Sequence, residues 1–194
     1  MKKFTVLMLA LTSLTACVSL GGKPARSLLT ISPVASLPAG EVRTARAGDG
    51  IAVAIPTVPQ SLATVRVAVT SNATEIAYLK DTAWVEAPAR LFQRILAETV
   101  AVKTGKIVFD IRRINPEPGV TLTGALTHFG IDATAREAIV TYDAVQTRAK
   151  STELVTRRFE AHVPIATIDS ASAGVALNKA ANQVAADVAA WVAG

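Results

Sequence analysis

Apolar and polar positions alternate in two distinct rhythms along this chain. From Pro88, residues Leu91, Phe92, Ile95, Leu96, Thr99 and Val102 recur at spacings of three and four, with Arg90, Gln93, Arg94 and Glu98 between them. That period predicts an amphipathic helix of about four turns, opened by Pro88 and stopped by Gly105. A second helix is expected from about Ser170 to Val192, on Leu177, Ala181, Val184, Val188, Trp191 and Val192. Asp169, Ser170 and Ser172 supply capping groups at its start.

Between and before the helices the period is two. Val65, Val67 and Val69 alternate with Arg66 and Ala68, and Glu75–Leu79 completes a hairpin around Asn72. Ile51–Ile55 is a short apolar run bounded by Gly50 and Pro56, which predicts a buried strand. Three or four strands are expected after the first helix, over Lys106–Ile114, Val120–Phe129, Glu137–Gln146 and Glu153–Ile165. In the second, Val120, Leu122, Gly124, Leu126 and His128 form one face against Thr121, Thr123, Ala125 and Thr127. In the third, one face is Ile139, Thr141, Asp143 and Val145; in the fourth, Val155, Arg157, Phe159, Ala161 and Val163. Short connections favour an antiparallel meander. The fold expected is α+β, a small antiparallel sheet with two amphipathic helices packed on one face as a two-layer sandwich. Ser27–Ser32 is strand-like, and residues 33–50, with two prolines and three glycines, read as a mobile loop or an extended arm.

Composition narrows the chemistry. Of 194 residues, 51% are hydrophobic and 18% charged, which excludes a disordered chain, and aromatics are only 5%, so the core rests on aliphatic side chains. One cysteine excludes a disulfide framework, and two histidines argue against a multi-histidine metal centre.

The N-terminus is a targeting segment. Lys2 and Lys3 precede the apolar stretch Phe4–Leu14, which is too short to span a bilayer that needs ~20 apolar residues. Leu14-Thr15-Ala16-Cys17 follows, and it resembles the bacterial lipobox. The resemblance implies that residues 1–16 are removed and that Cys17 is the lipid-attachment site, carrying three acyl chains as a stable anchor. Residues 17–26, with Gly21, Gly22 and Pro24, then form a lipidated tether to a domain over residues 27–194. Loss of Lys2 and Lys3 lowers the net charge from +5 to +3, and no basic helix or glycine-rich loop supports nucleic-acid binding. Valine at position 18, where an aspartate retains lipoproteins of enteric bacteria at the inner membrane, implies outer-membrane sorting.

Catalytic signatures are absent from the sequence: there is no GxSxG, HExxH, SxxK or EF-hand pattern. His128 and His162 lie on expected strands, His162 on the solvent side, and neither sits in a recognisable motif. Thr104-Gly105-Lys106 lacks the glycine-rich run of a phosphate loop and precedes a strand. Asp132, Glu137 and Asp143 could pair as carboxylates, but surface solvation accounts for them as well. Tyr78 and Trp84, in Tyr78–Pro88, either close the core beside the first helix or form a partner-contact surface.

The same segment carries a family resemblance. The lipobox ending at Cys17, the strand Ile51–Ile55 followed by Leu62, Tyr78-x5-Trp84-x3-Pro88, the Leu91/Leu96 helix, Leu122–Phe129 with Asp132 beyond it, and a terminal helix with Asn178, Ala181 and Trp191 follow in order. Together they resemble the ABC-type transport auxiliary lipoproteins over nearly all of the mature chain, residues 33–50 excepted. The resemblance implies a lipid-anchored envelope protein on the outer membrane facing the periplasm, with no catalytic, metal or cofactor site. Its implied partners are an ABC permease, its ATPase and a lipid-binding protein of the mammalian-cell-entry (MCE) type, which move lipid between membranes. The alternative is a free-standing envelope binding lipoprotein that recognises peptidoglycan or another lipoprotein. A hydrolase is a further alternative, which would centre on His128.

Overall fold

A computed structural model describes residues 27–46, 48–109 and 117–194. The expected signal peptide, Cys17 and the tether lie outside the described residues, as does the second half of the strand expected over Lys106–Ile114.

The described chain folds as β1 (Ser27–Leu29), β2 (Ile51–Val53), a 3-10 turn (Gln60–Leu62), β3 (Arg66–Asn72), β4 (Glu75–Trp84), α1 (Pro88–Thr104), β5 (Val108–Phe109), β6 (Val120–Asp132), β7 (Glu137–Arg148), β8 (Leu154–Pro164) and α2 (Ser170–Ala193). Pro88 opens α1, where its missing N–H has no carbonyl to meet. Gly105 closes it at φ 67°, the left-handed conformation that glycine adopts without cost, donating to Ala101 O. Asp169 caps α2 by accepting from Ser172 N–H.

The fold is α+β, but the sheet corrects the sequence expectation: it is neither small nor antiparallel throughout. Among the described residues it has eight strands and mixed pairing. β6, β7 and β8 form the expected antiparallel meander. The other edge of β6 is shared by two parallel neighbours, β2 at Val120–Leu122 and β3 at Gly130–Asp132, with a bridge from Thr57 to Ala125 between them. β5 adds parallel to β2; β4 adds antiparallel to β3, and β1 parallel to β4. The sheet therefore forks at β6 and is not the plain layer of a two-layer sandwich. Gly130 sits at the fork because a Cβ there would lie 2.6 Å from Ala68 O of β3.

Both helices cover the same face. Tyr142 and Phe159 are register partners on β7 and β8 and so share a face. Tyr142 lies 5.2 Å from the ring of Phe92 on α1, and Phe159 lies 5.6 Å from Trp191 on α2. Leu91, Ile95, Leu96, Leu177, Val184 and Val188 are fully buried in this core. The many alanines of α2, among them Ala173, Ala180, Ala181, Ala185 and Ala189, are buried too and let the helix backbone approach the sheet.

Two irregularities break the period-two reading. A β-bulge between Leu126 and His128 inserts one extra residue into β6. Leu126 is fully buried before it and Phe129 after it, so His128 turns to the face away from the helices. This corrects the grouping of His128 with Leu126. In β4, three extra residues separate the register pairs Ala68–Tyr78 and Arg66–Ala83, and Asp81 there adopts φ 53°. β4 thus runs on through the aromatic segment to Trp84.

Residues 30–46 form an extended arm. Ser32 N–H donates to Asn178 Oδ1 (2.8 Å), and Val34 N–H to Asn182 Oδ1 (2.8 Å). Asn182 Nδ2 returns a bond to Ser32 O at 2.9 Å. Farther on, Leu37 N–H donates to Glu98 Oε1 (2.7 Å). The arm is thus tied to α2 first and α1 second.

Candidate functional site

Three places could carry function: the point where the chain enters the domain, the Tyr78–Trp84 segment, and the polar face of β6–β8.

The chain enters at β1, where Ser27 pairs with Thr82. Leu29 packs near Gly174, and Ser32 and Val34 bond to Asn178 and Asn182, so the entering strand runs along α2 from its N-terminal end. Cys17 lies ten residues before Ser27, with nine residues between them, outside the described residues. An open groove of about 500 Å³ flanks the start of α2, lined mainly by Val163, Ile165, Val175 and Ala176, with Lys179 at its rim. Leu28 and Val175 are exposed nearby. No helix among the described residues is long and apolar enough to cross a membrane.

Tyr78 and Trp84, paired by the sequence reading, have different surroundings. Trp84 is 2% exposed, packs edge to face on Phe129 at 5.4 Å and closes the core. Its Nε1 has no hydrogen-bond partner among the described residues. Its side chain is therefore not on the surface, and the contact role considered for it is corrected. Tyr78 is half-buried; its hydroxyl donates to Ser61 O at 3.3 Å, and the Arg66 guanidinium stacks 3.8 Å above its ring. Arg66 is exposed, so this cation–π pair is presented to solvent.

The outer face of β6–β8 gathers both histidines. Register places His128, Thr141 and Glu160 in one cross-strand row and Ile139 beside His162 in the next. His162 Nδ1 meets Glu137 Oε2 at 2.8 Å, and its Nε2 meets Glu160 Oε1 at 2.9 Å. The Thr141 hydroxyl donates to Glu160 Oε2 at 2.6 Å. Glu160 above all, and then Glu137, holds the His162 pKa above its usual value, so the protonated ring can donate from both nitrogens. The Thr141 and His162 bonds in turn hold the Glu160 carboxyl low. Burial lowers the pKa of His128, whose Nε2 finds no partner among the described residues. Asp143 pairs bidentately with Arg158 at 2.6 and 2.8 Å, which lowers the Asp143 pKa.

This arrangement knits β7 to β8 and favours the protonated form of His162. The Thr141 hydroxyl donates to Glu160, whose carboxyl is held low and is therefore a weak base. Of the carboxylates considered from sequence, Glu137 is paired with His162 and Asp143 with Arg158, both on β8, and Asp132 caps the β6–β7 turn by accepting from Thr134 and Ala135 N–H. No group of three residues suited to hold a metal occurs among the described residues. Sequence reasoning did not single out Thr141, Glu160 or Arg66 as functional. The signal for the first two was the shared register of β7 and β8, which the charge alternation of β8 carries.

Fold and surface define an α+β domain with one apolar helix-covered face, one polar face and an N-terminal entry strand. The sequence matches the ABC-type transport auxiliary lipoprotein component family over residues 30–189, and the chain belongs to that family. No curated protein matches it significantly. Among solved structures it resembles protein XCC0632 from Xanthomonas campestris, described as a DUF330 protein, with 16% identity and a TM-score of 0.70, covering 85% of this chain and 93% of that one. A second crystal structure, of a protein titled as uncharacterized, is similar at 14% identity and a TM-score of 0.64, covering 86% and 95%. At these identities the likeness concerns the fold. Family membership makes the chain a transport-associated envelope lipoprotein.

Proposed function

We propose that this protein is a non-catalytic docking component of an MCE-type intermembrane lipid transport system, anchored by acylated Cys17 to the outer membrane and facing the periplasm. The observation that carries the reading is the family match over residues 30–189, joined to a lipobox cysteine separated by nine residues from the first strand.

The geometry gives the reading physical content. Nine residues at full extension span ~30 Å, so acylation confines the domain to a layer beside one leaflet. The arm on Asn178 and Asn182 fixes how the entering chain meets α2, so a pull on the tether is passed to the helical layer. A transporter component reaching from the other membrane would meet a rigid sheet and not a loose tail. Tyr78 with Arg66 is the candidate contact, because the half-buried aromatic ring carries an exposed cation on its face. The permease, its ATPase and an MCE-type protein are the partners expected.

Exchange of Cys17 for Ala tests the anchor. The variant should leave the membrane fraction and lower lipid transport. Full transport by the soluble periplasmic variant would contradict the docking role.

A further inference from the structure

β8 is an edge strand of eleven residues, and among the described residues only β7 pairs with it. An open edge of this length is a template for another strand. Which of its groups are free follows from the ladder. Ile165 N–H donates to Arg136 O, and the β7–β8 register runs without a break from Glu137–Pro164 to Thr147–Leu154. In an antiparallel pair hydrogen-bonded and non-hydrogen-bonded positions alternate. The odd-numbered residues of β8 therefore turn their N–H and C=O to β7. The even-numbered ones, Thr156, Arg158, Glu160 and His162, offer theirs to the open edge. Pro164 falls in the even set, where its missing N–H costs β7 nothing.

We propose that this edge pairs antiparallel with β8 of a second copy of the chain, on a two-fold axis through Phe159. Self-complementary charge along the edge selects this occupant. With Phe159 opposite Phe159, Arg158 faces Glu160 of the second copy, and Glu160 faces its Arg158. Thr156 faces His162, and the exposed Val155 faces Val163. Centring the axis on Arg158 or on Glu160 instead would set like charges opposite each other, which is unfavourable. Only the Phe159 register brings Arg158 against Glu160.

Packing allows the same register. α2 lies over both β7 and β8. With strands ~4.8 Å apart, the two copies of α2 would run on one face with axes about 10 Å apart, a normal helix-packing distance. The groove of about 500 Å³ between the β8 edge and α2, bordered by Arg157, Asp187, Ala190 and Trp191, would be covered by the second copy. The interface is isologous and closed, so pairing stops at two along this edge.

The test is sedimentation of the acylated mature protein in density-matched detergent micelles. The wild type should sediment as a dimer. Arg158→Glu and Glu160→Arg should each weaken self-association about tenfold, because two symmetry-related attractions become repulsions. The double exchange should restore it. Asp143→Asn removes the internal partner of Arg158 without altering the edge, and should leave the dimer intact. Amide exchange on the wild type needs no variant: the amides of Arg158, Glu160 and His162 should gain protection as concentration rises, while those of Phe159 and Ala161 are protected throughout. A monomer at all concentrations overturns the proposal, as does an oligomer indifferent to the charge reversals, or even-numbered amides without concentration dependence.

Discussion

Replacing Asn182 with Ala should loosen the junction between anchor and domain while leaving the core intact. Asn182 makes two bonds to the arm, from Val34 N–H (2.8 Å) and to Ser32 O (2.9 Å), and a third to Asn178 O (2.8 Å) within its own helix. Val34 is 83% exposed, so water can replace a lost partner there. Each arm bond then contributes a net ~0.5–1.5 kcal/mol, and the pair about 2 kcal/mol. Alanine's better helix propensity offsets about 0.5 kcal/mol of that. The net loss of about 1–2 kcal/mol belongs to a local opening, so the Val34 amide should exchange about tenfold faster while the buried amides of β7 stay protected. Asn182→Asp separates the two bonds, since it keeps the acceptor for Val34 and sets a second acceptor against Ser32 O. It should preserve Val34 protection better than Ala does. Unchanged exchange at Val34 in Asn182→Ala would refute the claim that this side chain holds the arm.

Other consequences follow from single contacts. Gly130→Ala places a Cβ against Ala68 O at 2.6 Å, backbone that cannot step aside, so the urea midpoint should fall by an amount corresponding to at least ~2 kcal/mol. The raised pKa of His162 stabilises the fold fully below the unfolded value of 6.5, and that stability fades as pH rises through the folded value. The stability gap between wild type and His162→Gln should therefore be larger at pH 5.5 than at pH 8.5, and a gap independent of pH would contradict it. His128 acts in the opposite sense: its pKa is lowered by burial, so it costs stability as pH falls below 6.5, and His128→Gln should be relatively favoured in acid. Tyr78→Ala should destabilise the domain by about 1–2 kcal/mol, because its half-buried ring packs on the core and its hydroxyl donates to Ser61 O, whereas Arg66→Ala, at an exposed position, should shift thermal unfolding little yet weaken capture of a transporter subunit if the stacked Tyr78–Arg66 pair is the contact.

Both helices were legible because their signals are local. Pro88, the three- and four-residue apolar spacing and Gly105 delimit α1 without any tertiary information, and Asp169 does the same for the start of α2. The β6–β8 meander was legible because its turns are short and its inner faces alternate. The parallel edge was not: β2 and β3 each meet β6 over three residues, too few for any sequence period to specify a neighbour more than sixty residues away. The face of His128 was lost to one bulge residue, since an inserted residue inverts every later position. The arm's hold on α2 depends on two asparagines about 150 residues from their backbone partners, and nothing near Ser32 announces them. The proton-binding cluster stayed hidden for the same reason, because Glu137, Glu160 and His162 converge only once β7 and β8 are in register.

The central claim, that the domain serves a transporter and not itself, is met most directly by an affinity capture. The acylated protein, tagged after Gly194, would be solubilised from envelopes in mild detergent, and co-purifying proteins identified. The account predicts recovery of an MCE-type protein or an ABC permease, at a level reduced by Cys17→Ala. Recovery of cell-wall fragments or unrelated lipoproteins without any transporter subunit would contradict it.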